Sequence, residues 1–121
     1  MAAGVIDGFS HMEFRGAEVC TAAGGATLDT SGSYTRAAKR NGIANVEIRI
    51  QCPTISAETA IAILTPELIP VMDVTYIKTY DMWGTALNGT VSLRSNGAVA
   101  AQSNCSGKNI QIVATYVTLT L

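Results

Sequence analysis

The chain has 121 residues, eight basic and nine acidic side chains, a formal net charge of −1 and only 14% charged residues. That length fits one domain, because single domains cluster at about 100–150 residues, and it allows roughly two-thirds of the unfolded surface to be buried. The balanced charge lacks the dense positive surface that sequence-independent nucleic-acid binding draws on, and no apolar run reaches the roughly 20 residues of a membrane span.

Few charges beside many Ala, Thr, Val and Ile residues suggest that some surface is hidden against copies of the same chain. Cys20, Cys52 and Cys105 are odd in number and widely spaced, with no CxxC pair and a single histidine. Zinc sites need about four Cys or His ligands, commonly in close pairs, so no metal site is expected. Buried free thiols are the reading; the alternative is a disulfide between two of the three, and the spacing does not choose the pair.

Taken in chain order, residues 1–11 show no periodicity and read as an irregular lead-in. They lack the basic start and apolar stretch of a secretory signal, so the sequons at Asn88 and Asn104 are given no weight. Residues 12–20 are a short, weak strand candidate, and the Gly-, Ala-, Ser- and Thr-rich stretch 21–33 reads as loop. The basic cluster Arg36, Lys39 and Arg40 reads as a surface loop. Residues 34–39 and 43–52 should pair as a hairpin about Asn41-Gly42, because Val46, Ile48, Ile50 and Cys52 alternate with polar residues.

Pro53 stops that ladder. Residues 56–64 allow a short helix or a strand, and the alternation of Ile61 and Ile63 before Pro66 favours the strand. Residues 71–82, rich in β-branched and aromatic side chains, predict one long strand, and 83–89 turn it. Two short strands at 90–94 and 98–102 flank Asn96-Gly97, the dipeptide of a two-residue type I′ turn. After a turn at 104–109, residues 110–121 predict a long closing strand. Ile110, Ile112 and Ala114 lie on one of its faces and Val113, Val117 and Leu119 on the other. Two apolar faces point to burial on both sides, inside a sandwich or against a neighbouring subunit. Short strands with turns every eight to twelve residues define an all-β, antiparallel sandwich or barrel.

The order "KRNGIANVEIRI", "ISAETAIAILTPELIPV", "LNGTVSLRSNGAVA", "IQIVATYVTL" resembles the C-terminal receptor-binding head domains of bacteriophage tail-fibre and baseplate proteins. The likeness spans roughly residues 39–119, with Asn41-Gly42 opening a strand, Leu64-Thr65-Pro66-Glu67 turning before Pro70, and Tyr116 in the last strand. It departs from the usual pattern where Thr65 separates Leu64 from Pro66 and where no Tyr-Arg pair precedes Pro70. The resemblance implies a jelly-roll-like head, a homotrimer, carried on the virion tail after synthesis in the bacterial cytoplasm, with a host cell-surface saccharide or protein as partner. Residues 1–38 have no counterpart, and the first eleven would join a fibre shaft.

Chemistry finds little support. His11 is the sole histidine and sits in the lead-in, where a solvated or locally bonded role is expected. Glycoside cleavage needs two carboxylates about 5–9.5 Å apart, whereas Asp73 and Asp81 on a continuous strand would lie roughly 26 Å apart. Glu58 and Glu67 read as solvated turn residues, and Gly24-Gly25 lacks the Lys-Ser/Thr of a phosphate loop. No catalysis and no cofactor are expected. Binding is better served by Tyr80, Asp81, Trp83 and Asn88, an aromatic and polar group at one strand end and its loop. The competing role for Trp83 is a core plug or a subunit contact. Arg94 is a further candidate ligand residue, against a solvated role, and Tyr76 is assigned to the core or a subunit contact.

The leading expectation is a head that adheres to a surface glycan without chemistry. The runner-up is a structural module that trimerises or caps a fibre. A small depolymerase and an oligonucleotide-binding barrel are weaker alternatives.

Overall fold

In the computed structural model, which describes residues 11–121, the chain forms two antiparallel sheets facing each other across one apolar cluster. The strands are β1 (His11–Arg15), β2 (Cys20–Ala22), β3 (Thr27–Leu28), β4 (Arg36–Arg40), β5 (Ile43–Gln51), β6 (Thr59–Leu64), β7 (Lys78–Asp81), β8 (Val91–Leu93), β9 (Ala98–Ala101) and β10 (Asn109–Val117). The larger sheet runs β1-β4-β5-β10-β7, with β3 paired to the far end of β5; the smaller runs β2-β6-β9-β8.

β5 and β10 form the spine because both carry the period of two that places every second side chain inward. Their register sets Ile48 opposite Ile112 and Ile50 opposite Ile110, and all four are buried. Ile61, Leu64, Val91, Leu93 and Val99 close the cluster from the smaller sheet. Fully burying such a side chain contributes about 1.5–3 kcal/mol, so this central group outweighs any single polar contact. The outer face of β10 behaves differently. Gln111 is buried there, bonded to Arg49 Nε at 3.0 Å and to the Tyr34 carbonyl at 3.0 Å, and Arg49 lies over the Tyr34 ring. Val117 and Leu119 stay open, so burial on both faces holds only for the first half of the strand.

The hairpin about Asn41-Gly42 forms as expected, with both residues left-handed at φ 52° and 78°. The strand reading of residues 56–64 also holds, over Thr59–Leu64. Asn96-Gly97 turns differently from expectation. Gly97 alone is left-handed there, its N–H donates to the Arg94 carbonyl, and the Arg94 N–H donates to the Ala98 carbonyl. The loop is therefore the three-residue Ser95-Asn96-Gly97 form that ends in a left-handed glycine, with the Asn96 side chain accepting from the Ala98 N–H.

Three segments depart further from the sequence reading. Residues 12–20 do not form one strand: β1 ends at Arg15, a 3-10 turn follows over Gly16–Glu18, and β2 begins at Cys20. Gly16 is left-handed, and a Cβ there would overlap the Thr30 carbonyl oxygen, so the break is built into the backbone. The expected loop 21–33 contains the rest of β2 and all of β3. The expected lead-in lies outside the described residues except for His11, which opens β1 and bonds Glu13 at 3.2 Å.

The long strand expected at 71–82 reduces to Lys78–Asp81. Its first part changes partner instead. Pro70 bridges Thr118 beyond β10, Val74 bridges Leu93 of β8, and β7 then returns to β10. The segment thus laces one open edge of the sandwich from sheet to sheet. Tyr76, assigned to the core or a subunit contact, is exposed within it, which removes the core role.

The basic cluster is a strand rather than a loop, and Lys39 is among the most buried side chains. Its Nζ donates to the Glu67 carbonyl at 2.7 Å and to Thr120 Oγ1 at 2.9 Å. Cys20, Cys52 and Cys105 are free and buried. Among the described residues, no helix is long and apolar enough to cross a membrane.

Candidate functional site

The site begins at the end of β7, where the chain reverses through Met82-Trp83-Gly84. Asp81 organises that reversal: its Oδ1 accepts the N–H groups of Trp83 and Thr85, both at 2.9 Å. An Asp side chain folding back on the next residues is a turn-maker in its own right. Gly84 completes the turn at φ 82°, with its N–H on the Asp81 carbonyl. Farther along, Asn88 Oδ1 accepts from the Thr79 N–H at 2.9 Å, and the Leu87 N–H bonds the Thr79 carbonyl at 2.7 Å. Leu87 is buried and roots the hairpin.

These bonds fix the backbone on both sides of Trp83 and leave the residue 91% exposed. A core plug is thereby ruled out for the indole. Beside it lies a cleft of about 360 Å³ lined by Gln51, Asp81, Met82, Trp83, Lys108 and Asn109. Gln51 and Asn109 meet there because they are partners in the β5–β10 register. The Gln51 amide ties down the turn before β10 through the Gly107 carbonyl at 2.9 Å. Among the described residues, no carboxylate lies within ion-pair distance of Lys108.

The five residues singled out from sequence therefore separate. Trp83 and Asp81 share the cleft, Trp83 as an open aromatic surface and Asp81 as the group that holds its backbone. Tyr80 is half-buried on the neighbouring sheet face, opposite Gln111. Asn88 spends its side-chain oxygen on Thr79, so it shapes the hairpin. Arg94 belongs elsewhere. Its hairpin packs Gly97 toward Ile69, whose carbonyl bonds the Leu119 N–H, and this is the opposite end of β10 from Trp83.

Arg94 is also not simply solvated. It pairs with Glu58 and, at 3.5 Å, with Asp73, in a shallow cleft of about 420 Å³. Asp73 Oδ1 accepts the Ser95 N–H at 2.8 Å, and that backbone bond first, with Arg94 after it, holds the Asp73 carboxyl below its ordinary range. Glu58 raises the Arg94 guanidinium in turn. The exposed ion pairs here are worth little to stability.

A third depression, about 320 Å³, lies on the outer face of the larger sheet between the pairs Glu13–Arg15 and Arg36–Glu47. Among the described residues no group of three His, Cys, Asp or Glu side chains is placed to hold a metal ion. The residues that sequence reading missed are Gln51, Lys108 and Asn109. Pairing of β10 with β7, which sets Ile110 opposite Asp81, brings Lys108 and Asn109 to Trp83, and pairing of β5 with β10 adds Gln51 opposite Asn109. Comparison with protein-family models, curated proteins and solved structures found no match.

Proposed function

We propose that the protein is a phage or prophage tail receptor-binding head that adheres to a bacterial surface glycan through the Trp83 cleft, without catalysis. The observation that carries this reading is a fully presented indole on a hairpin whose backbone is pinned by Asp81, Asn88 and Leu87. A sugar ring offers C–H groups to an aromatic face, and Lys108, Asn109 and Gln51 stand within the same cleft for its hydroxyls. Recognition groups on loops of a rigid scaffold lose little freedom on binding. The jelly-roll-like, trimeric form and the place on the virion tail belong to this reading through the sequence resemblance.

The test is retention of the purified chain on insoluble bacterial cell walls, with Trp83→Ala beside it. The variant should lose at least about ten-fold in retention, as expected for an aromatic anchor, and keep the parent's melting temperature because its ring contributes no burial. Equal retention of variant and parent overturns the site. A second reading, a structural module that joins fibre subunits and holds no ligand, gains support from the open apolar side chains at the other end of β10. Absence of cell-wall binding by the parent chain selects it.

A further inference from the structure

We infer that the apolar end of the larger sheet, centred on Val117, is the surface through which copies of this chain join one another. Ile43 is opposite Val117 in the β5–β10 register. Val71 lies on the other side, its N–H bonded to the Val117 carbonyl at 3.0 Å. Leu119 lies just beyond the strand, with its N–H on the Ile69 carbonyl, and Leu121 lies against Gly42 beside Ile43. These five residues are adjacent and have aliphatic, uncharged side chains, yet they are between 48% and 84% exposed.

Area decides what covers them. Together they leave roughly 500 Å² open, within the about 300–600 Å² found for the largest patch on a monomer. Two such patches laid together remove on the order of 1,000 Å² from water, the size of a weak, reversible interface. Arg40, opposite Ile43 and exposed, borders the patch, giving the apolar centre and polar rim of an association surface. The same patch on every copy closes around a symmetry axis. Its position also matters, because Val117 and Asn109 end the same strand roughly 27 Å apart. Assembly at Val117 leaves every Trp83 cleft facing away from the joint. The inference stands whether or not the cleft binds a glycan.

The experiment is solution mass by light scattering on the whole chain over a range of concentrations. The parent should show a whole-number multiple of 12.6 kDa, with smaller species appearing on dilution because the covered area is at the low end. Val117→Glu should return the mass to a single chain while far-ultraviolet circular dichroism stays unchanged. Ile43→Lys, on the neighbouring strand, should do the same and guards against a folding defect in the first variant. Trp83→Ala should leave the mass unaltered. A parent that stays at one chain throughout overturns the inference, and residues 1–10 would then be the next occupant to examine. An assembly broken by Trp83→Ala but intact in Val117→Glu overturns it equally, by moving the joint to the other end.

Discussion

Lys39 is read from sequence as one cation in an exposed basic cluster, and its burial reverses what a substitution there should do. The four methylenes cross the inner face of β4, and Nζ ends on a backbone carbonyl and a hydroxyl rather than on a carboxylate. Lys39→Ala removes that stem and leaves the Glu67 carbonyl and Thr120 hydroxyl without their donor, a loss of about 2–4 kcal/mol. Lys39→Met keeps most of the stem but leaves the same two acceptors without a donor, so it should cost less than Lys39→Ala only by the packing share. Urea unfolding of the two variants checks the order; equal and small losses would mean that the stem contributes no packing.

The cysteines make a second claim at this scale. Burial pushes the Cys20 thiol up to about 12 from 9.0, and burial followed by the nearby Cys105 does the same for Cys52. Burial, then Cys20, also raises the Tyr116 hydroxyl, which donates to the Leu68 carbonyl at 2.7 Å. Above pH 9 the unfolded chain releases thiol protons that the folded chain still holds, so unfolding is favoured as pH rises. The stabilisation is complete below that value and is lost toward pH 12, at about 1.4 kcal/mol per pH unit for each thiol. Urea midpoints should hold from pH 8 to about pH 9 and fall from there to pH 11. A flat profile would show that the thiols ionise in the folded state.

At the scale of elements, what could be read from the chain was whatever one-sided burial writes into it. β5 was legible because a slip of one residue would turn Val46, Ile48 and Ile50 out to water, and the Asn41-Gly42 turn reinforced the same register. The stretch 71–82 was not. Its β-forming composition is real, but composition is silent about partners, and this segment bonds β10, then β8, then β10 again. The candidate site shared that limit: Asp81 and Trp83 are neighbours in sequence, whereas Lys108 and Gln51 reach them only through strand pairing.

The two residues of the Asn96-Gly97 turn separate by experiment. At the Asn96 loop only the glycine is left-handed, so Asn96→Ala should cost about 0.5–1.5 kcal/mol, the value of its bond to the Ala98 N–H. Gly97→Ala should cost more. It forces a Cβ into φ 95° with Ile69 Cδ1 at 3.3 Å. Thermal melts of the pair suffice, and equal losses would favour the two-residue turn instead.

Taken whole, the molecule is a short sandwich with unlike ends. One end carries Trp83, Lys108 and a hydrogen-bonded hairpin; the other carries Val117, Leu119 and Leu121. The segment from Pro70 to Asp81 runs between them along one edge, bonded in turn to both sheets.

Trp83 is the chain's only tryptophan, and its ring lies almost wholly in water while the fold is intact. Its emission should therefore be red-shifted in the native state and change little when the chain unfolds. The usual fluorescence assay of folding would miss the transition. The same indole would respond strongly when a ligand covers it, because drying the ring shifts emission to the blue. On the proposed reading, the protein carries an intrinsic optical reporter of glycan binding at one end, nearly blind to the state of the core.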